Sequence, residues 1–189
     1  MRTRTLLNLT LAATLVAAGS TAVFADQPAG TQSAQSDAQI AQKVIHEIRM
    51  YARYTIFDNV NVMVRDGEVN LTGQVSLPFK KGDMGRLAEH VAGVRSVTNQ
   101  IEVLPTSLFD DRLRLQIARS IYRDPALSRY AIEAMPPIHI IVDNGHVTLE
   151  GVVNNDLEKT VAGLRASQAG LSFGQVVNNL RVENPGKKS

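Results

Sequence analysis

The chain contains no cysteine among its 189 residues. That excludes a disulfide framework, a thiolate metal site, a cysteine nucleophile and a lipidated N-terminal cysteine. Glycine and proline are few, 13 and 7, too few for a collagen-like or low-complexity chain. No apolar run reaches the ~20 residues that a membrane-spanning helix needs. Net charge is almost missing as well: 20 Lys+Arg stand against 18 Asp+Glu. The small basic surplus lies in residues 1–25, which read as a secretory signal peptide. Arg2 and Arg4 form its positive start, residues 6–18 its apolar stretch, and Val23-Phe24-Ala25 the small-x-small pattern of a cleavage site. Without that segment the acids and bases balance, so the mature chain has no basic footprint for nucleic acid. The signal is of bacterial type and points to the periplasm. Composition is globular, with 44% hydrophobic and 20% charged residues. An exported protein without cysteine relies on its core alone.

What the sequence does contain is an internal repeat. Residues 62–75 match residues 140–153 without a gap, each with alternating apolar positions around Asp66-Gly67 or Asn144-Gly145. Those dipeptides accept the positive φ of a type I′ turn, so each block is predicted to be a β-hairpin. Upstream, Asp37 precedes Ile40, Val44 and Ile48, and Asp110 precedes Leu113, Ile117 and Ile121 with the same spacing. Each is one helical stripe behind an acidic N-cap. Downstream, Leu87, Val91 and Val94, and then Leu157, Val161 and Leu164, suggest a second helix. Val97-Asn99-Ile101-Val103 and Val176-Asn178-Leu180-Val182 have the period of a third strand. The expected fold class is α+β: two tandem small modules, each helix–strand–strand–helix–strand, with a three-stranded sheet covered on one face by two helices. The expected division is a signal peptide (1–25), a flexible lead-in (26–36), modules at 37–105 and 106–184, and a tail (185–189).

This pattern resembles the BON-domain family, a bacterial module of osmotically inducible periplasmic proteins and some outer-membrane lipoproteins. The residues that carry the resemblance are the hairpin at 62–75, the Gly93-Val94 corner and the strand at 97–103. The second copy departs from it in a longer connection holding Ala134-Met135-Pro136-Pro137, and in a loosened corner, Gly170-Leu171-Ser172-Phe173-Gly174. The resemblance implies a non-enzymatic periplasmic envelope protein that binds phospholipid surfaces peripherally under osmotic or other stress. Chaperone-like binding of clients, or binding of an envelope protein without lipid, is the alternative.

No catalytic constellation emerges. Gly-x-Ser-x-Gly, the P-loop and the dinucleotide fingerprint are all missing. The acids fall at expected caps (Asp37, Asp110, Asp111), turns (Asp66, Asp143) and exposed helix faces, without the burial that perturbs a catalytic carboxylate. His46, His90, His139 and His146 form no i, i+4 pair, so no metal or cofactor is expected. Asn99 and Asn178 recur at equivalent positions, where they would satisfy backbone groups. One feature separates the copies. Arg112, Arg119 and Arg123 fall within about 40° of one another on the first helix of copy two, with Leu115 and Tyr122 beside them. Copy one has Gln39, His46, Met50, Gln42 and Arg49 at the corresponding positions. Guanidinium groups beside apolar side chains suit an anionic phospholipid headgroup surface, with Leu115 and Tyr122 inserting shallowly.

Overall fold

A computed structural model describes residues 30–169 and 175–183. The expected signal peptide, the corner at 170–174 and the tail lie outside the described residues. The first module runs α1 (Gly30–Met50), β1 (Asn59–Arg65), β2 (Glu68–Val75), α2 (Pro78–Glu89), β3 (Ser96–Asn99) and β4 (Glu102–Val103). The second repeats that order as α3 (Leu108–Tyr122), β5 (Ile138–Asp143), β6 (His146–Val153), α4 (Asp156–Gln168), β7 (Val177–Asn178) and β8 (Arg181–Val182). Both hairpins form where Asp-Gly and Asn-Gly predict them. Asp66 and Asn144 take φ of 50° and 48°, and the glycines that follow take 75° and 80°, the type I′ geometry that matches strand twist.

In each module the second hairpin strand lies at the centre of the sheet. It pairs antiparallel with the first strand and parallel with the two pieces of the third. Its inward residues, Val69, Leu71 and Val75 or Val147, Leu149 and Val153, are buried under the two helices of the module. The stripes Ile40, Val44, Ile48 and Leu113, Ile117, Ile121 are buried as predicted. Gly73 and Gly151 hold equivalent kinks at φ of 110° and 118°. A Cβ there would lie 2.1 Å from the Asn59 carbonyl oxygen and 1.9 Å from that of Pro137, a distance no side chain tolerates.

Several elements differ from the sequence reading. α1 begins at Gly30, so residues 30–36 of the expected lead-in are helical; nothing after Gly30 in that stretch is a helix breaker. Asp37 therefore lies inside the helix and does not cap it. Its carboxylate accepts the N–H groups of Asp66 and Gly67 at 2.7 and 2.9 Å. Asp110 does the same for Asn144 and Gly145 at 3.0 and 2.8 Å, while the cap of α3 is Ser107. The two acids tie each module's first helix to its hairpin turn. Asp111 pairs with Arg114 at 2.6 Å.

The third strand is broken in both copies, and the recurrent asparagine is the cause. Asn99 accepts the N–H of Ile101 at 3.2 Å and donates to the Lys81 carbonyl of α2 at 2.7 Å. Asn178 accepts from Leu180 at 3.3 Å and donates to the Lys159 carbonyl of α4 at 2.7 Å. Gly85 and Gly163 leave room for those amides: a Cβ would come within 2.8 and 2.7 Å of the amide nitrogen. On α4 the buried side is Glu158, Ala162 and Ala166, whereas Leu157 and Leu164 are exposed. The small residues let this helix pack closely on the sheet, which turns the leucines outward.

Each module has its own core, and the two cores touch. Ile56 and Phe57 of the first module pack against the second core, and Met135 of the second against the first. The Ile140 N–H also donates to the Ile56 carbonyl at 2.7 Å.

Candidate functional site

α3 starts at Leu108, where the Ser107 hydroxyl accepts the Asp110 N–H at 3.2 Å and acids occupy the first turn, favouring the positive end of the helix dipole. With Leu113, Ile117 and Ile121 buried, the opposite face meets solvent. Arg112, Arg119 and Arg123 are exposed, and none has a hydrogen bond or ion pair to a described residue. Leu115 is 47% exposed beside them. The fourth arginine, Arg114, is buried and donates to the Val142 carbonyl at 2.6 Å. Tyr122 does not join the surface set. Its ring packs on the second core and its hydroxyl donates to the Ile138 carbonyl at 2.7 Å. Burial pushes its pKa upward, and it braces the helix against β5 instead of inserting elsewhere.

The carboxylates are not all at the surface. Asp58, Asp110, Asp124 and Glu158 are buried. Each is saturated by structural partners. Asp58 meets the Lys80 ammonium at 2.6 Å and accepts from Thr55 and Ser76. Glu158 stands where the first module has Lys80, and accepts from the Tyr130 hydroxyl at 2.6 Å, the Asn154 N–H at 3.0 Å and the Arg129 guanidinium. Burial would raise its pKa, but those donors outweigh it and hold the carboxyl below its usual range. Asp124 is lowered by the hydrogen bond from Arg165 at 2.6 Å, with a second from the Ala126 N–H. The two sites replace acid with base at one helix position and both fasten the helix to the loop before the hairpin. Among the described residues no three His, Asp or Glu side chains converge as metal ligands, and no helix is long and apolar enough to cross a membrane.

The BON domain family matches residues 36–105 and again residues 110–184. The chain belongs to this family. It carries two tandem BON modules, and BON domains are binding modules of the envelope without a catalytic role. No curated protein matches the chain. Among solved structures, two of CdsD, a structural protein of the type III secretion system of Chlamydia trachomatis, are similar to it. The first is 12% identical, with 77% of this chain and 61% of that one covered and a TM-score of 0.31. The second, of the C-terminal domain, is 13% identical, with 74% and 64% covered and a TM-score of 0.30. The chain thus spans less than two thirds of the length of those structures.

Within the second BON module, the sequence reading overlooked Leu108. It is 79% exposed and projects at the centre of the arginine face, four residues before Arg112 and seven before Leu115. Placing the helix start at Asp110 hid it, although the same spacing rule that grouped the arginines would have found it. The α3 face therefore presents Leu108, Arg112, Leu115, Arg119 and Arg123 along about 22 Å of helix. The corresponding face of the first BON module carries Gln39, Gln42 and His46.

Proposed function

We propose that the protein is a non-enzymatic, periplasmic tandem-BON protein whose second module rests peripherally on anionic phospholipid surfaces and so supports the envelope under osmotic or other stress. The observation that carries this reading is the α3 face. Three exposed arginines without protein partners are interleaved with Leu108 and Leu115, and no carboxylate lies between them. A guanidinium can hold a lipid phosphate through two hydrogen bonds. The leucines can enter the headgroup boundary, as on an interfacial amphipathic helix. Each arginine supplies about 1 kcal/mol near an anionic surface, so three give roughly a hundredfold enrichment. That is reversible, salt-sensitive contact, with no anchor required. Residues 1–25, read as a signal peptide, supply the export that this location needs.

Flotation with liposomes tests the reading. The purified protein should float with anionic and not with neutral vesicles, more at low than at moderate salt. An Arg112→Glu, Arg119→Glu, Arg123→Glu variant should stay at the bottom, and Leu108→Ser, Leu115→Ser should weaken flotation while keeping its salt dependence. Wild-type protein that fails to float under every condition would refute the lipid reading. Suppression of client aggregation without lipid, or a co-purifying envelope protein, would then favour the chaperone or partner-binding alternative.

A further inference from the structure

The two hairpins differ at their outer edges. In a hairpin closed by a two-residue turn, alternate residues of the first strand bond to the second, and the others aim N–H and C=O away from it. In β5 the outward residues are Ile138, Ile140 and Val142, and all three are met. The Ile138 carbonyl accepts Tyr122, the Ile140 N–H donates to Ile56, and the Val142 carbonyl accepts Arg114. In β1 the outward residues are Val60, Val62 and Val64. Only the Val60 N–H is met, by the Tyr54 hydroxyl at 3.4 Å. The first module has Arg49 in place of Tyr122 and Ala41 in place of Arg114, so its helix carries neither cap. Among the described residues β2 alone pairs with β1, and nothing meets the outward groups of Val62 and Val64. The edge is otherwise unguarded: it has no proline or bulge, and its one charge is Arg65 at the far end.

Beside this edge lies a cleft of about 650 Å³ between the modules, within the size range of ligand sites. Four consecutive residues of β1, 59–62, line it, and Met135, Pro136 and Pro137 form the wall across from them. Arg49 and Arg181 also line it, and neither guanidinium has a partner among the described residues. The buried His139 faces the same cleft with its Nδ1 unpartnered. The wall leaves width for one strand at the usual ~4.8 Å spacing. A second folded copy would have to bring its helices through Pro136 and Pro137. Two free arginines in a cleft with an open strand edge suit an extended, carboxylate-bearing segment.

We propose that β1 and the inter-module cleft bind an extended peptide segment by strand addition, with its backbone on Val62 and Val64 and a carboxylate on Arg49 and Arg181. Backbone pairing supplies affinity without sequence, while the cleft selects charge and alternating side chains. This site is separate from α3 and does not depend on lipid binding.

Amide exchange measured by NMR on the purified protein tests it. The probe is an octapeptide of alternating valine and threonine with a glutamate at each end, alongside a twin N-methylated at alternate residues. Saturating octapeptide should slow exchange of the Val62 and Val64 amides by about tenfold or more and shift the Arg49, Arg181 and His139 signals. The methylated twin should do neither, and Arg49→Glu, Arg181→Glu should lower affinity for the octapeptide about tenfold or more. Equal binding of both peptides, or no binding at millimolar peptide, would overturn the proposal. So would Val62 protection that rises with protein concentration alone, which would mean a second copy, or protection produced by anionic vesicles without peptide.

Discussion

Asp37 and Asp110 perform one task in two environments, which makes them an internal comparison of burial. Each carboxylate accepts two N–H groups from a hairpin turn, at 2.7 and 2.9 Å for Asp37 and 3.0 and 2.8 Å for Asp110. Asp37 is only partly buried, whereas Asp110 is 1% exposed. Water can replace the first carboxylate at the turn, so Asp37→Ala should cost about 1 kcal/mol, the net worth of an accessible hydrogen bond. Asp110→Ala leaves the Gly145 N–H without an acceptor in a dry site. It also removes two charge-assisted bonds of about 1.5–3 kcal/mol each, so the loss should be about 3–5 kcal/mol. Asp110→Asn, which keeps one acceptor oxygen, should fall between them. Urea unfolding of each variant gives the difference from the midpoint shift, provided the slope is unchanged. Amide exchange at Gly67 and Gly145 assigns the loss to the correct turn. Equal losses at the two positions, or an Asp110→Ala loss under about 1 kcal/mol, would refute the claim that burial sets the value of this contact.

Gly→Ala in a helix normally stabilises by up to about 1 kcal/mol, but Gly163→Ala should destabilise by about 1–3 kcal/mol, because the methyl would meet Asn178 at 2.7 Å; adding Asn178→Ala should recover part of the loss in a double-mutant cycle, and simple additivity would contradict the packing argument. Burial lowers the pKa of His139, so the unfolded chain takes up a proton there that the fold does not. Stability is then full above the unfolded value of ~6.5 and falls as pH drops through it toward the folded value. Melting between about pH 7 and 5 should show that slope and His139→Gln should flatten it, while Asp124 and Glu158 add a further loss only below ~4.5; an unchanged slope in the variant would show that His139 is not its source. Tyr122→Phe should cost about 1 kcal/mol through the lost bond to Ile138 and leave flotation unchanged, whereas weaker flotation of the folded variant would return Tyr122 to the lipid-facing surface.

The sequence displayed the repeated parts plainly because their signals are local. Turn dipeptides, strand alternation and the helical stripes of α1 and α3 each follow from a few neighbouring residues, and two copies reinforced one another. Contacts at long range were hidden. Asp37 and Asp110 looked like caps because an acid before an apolar stripe usually is one; their partners sit on a turn elsewhere in the sequence. Asn99 and Asn178 were correctly read as satisfying backbone, but which helix carbonyl they reach, and the glycine that admits them, needed the packed sheet. Lys80 and Glu158 occupy one helix position with opposite charge, so no pattern at that position signals burial. On the α3 face the arginines and Leu115 were legible from 3.6-residue periodicity, and Leu108 was lost only through a helix start set two residues late. The open edge of β1 was not legible at all, since it depends on what Ala41 and Arg49 fail to supply.

The hydrogen bond from Ile140 to Ile56 gives the molecule a direction in time. Every strand of the first module lies between residues 59 and 103, so a chain emerging N-terminus first can close that sheet before the second begins. The second cannot finish alone: its edge strand β5 needs the Ile56 carbonyl, and its core needs Ile56 and Phe57. Domains fold in the order of their synthesis or translocation, and here the earlier one becomes the template on which the later one is completed.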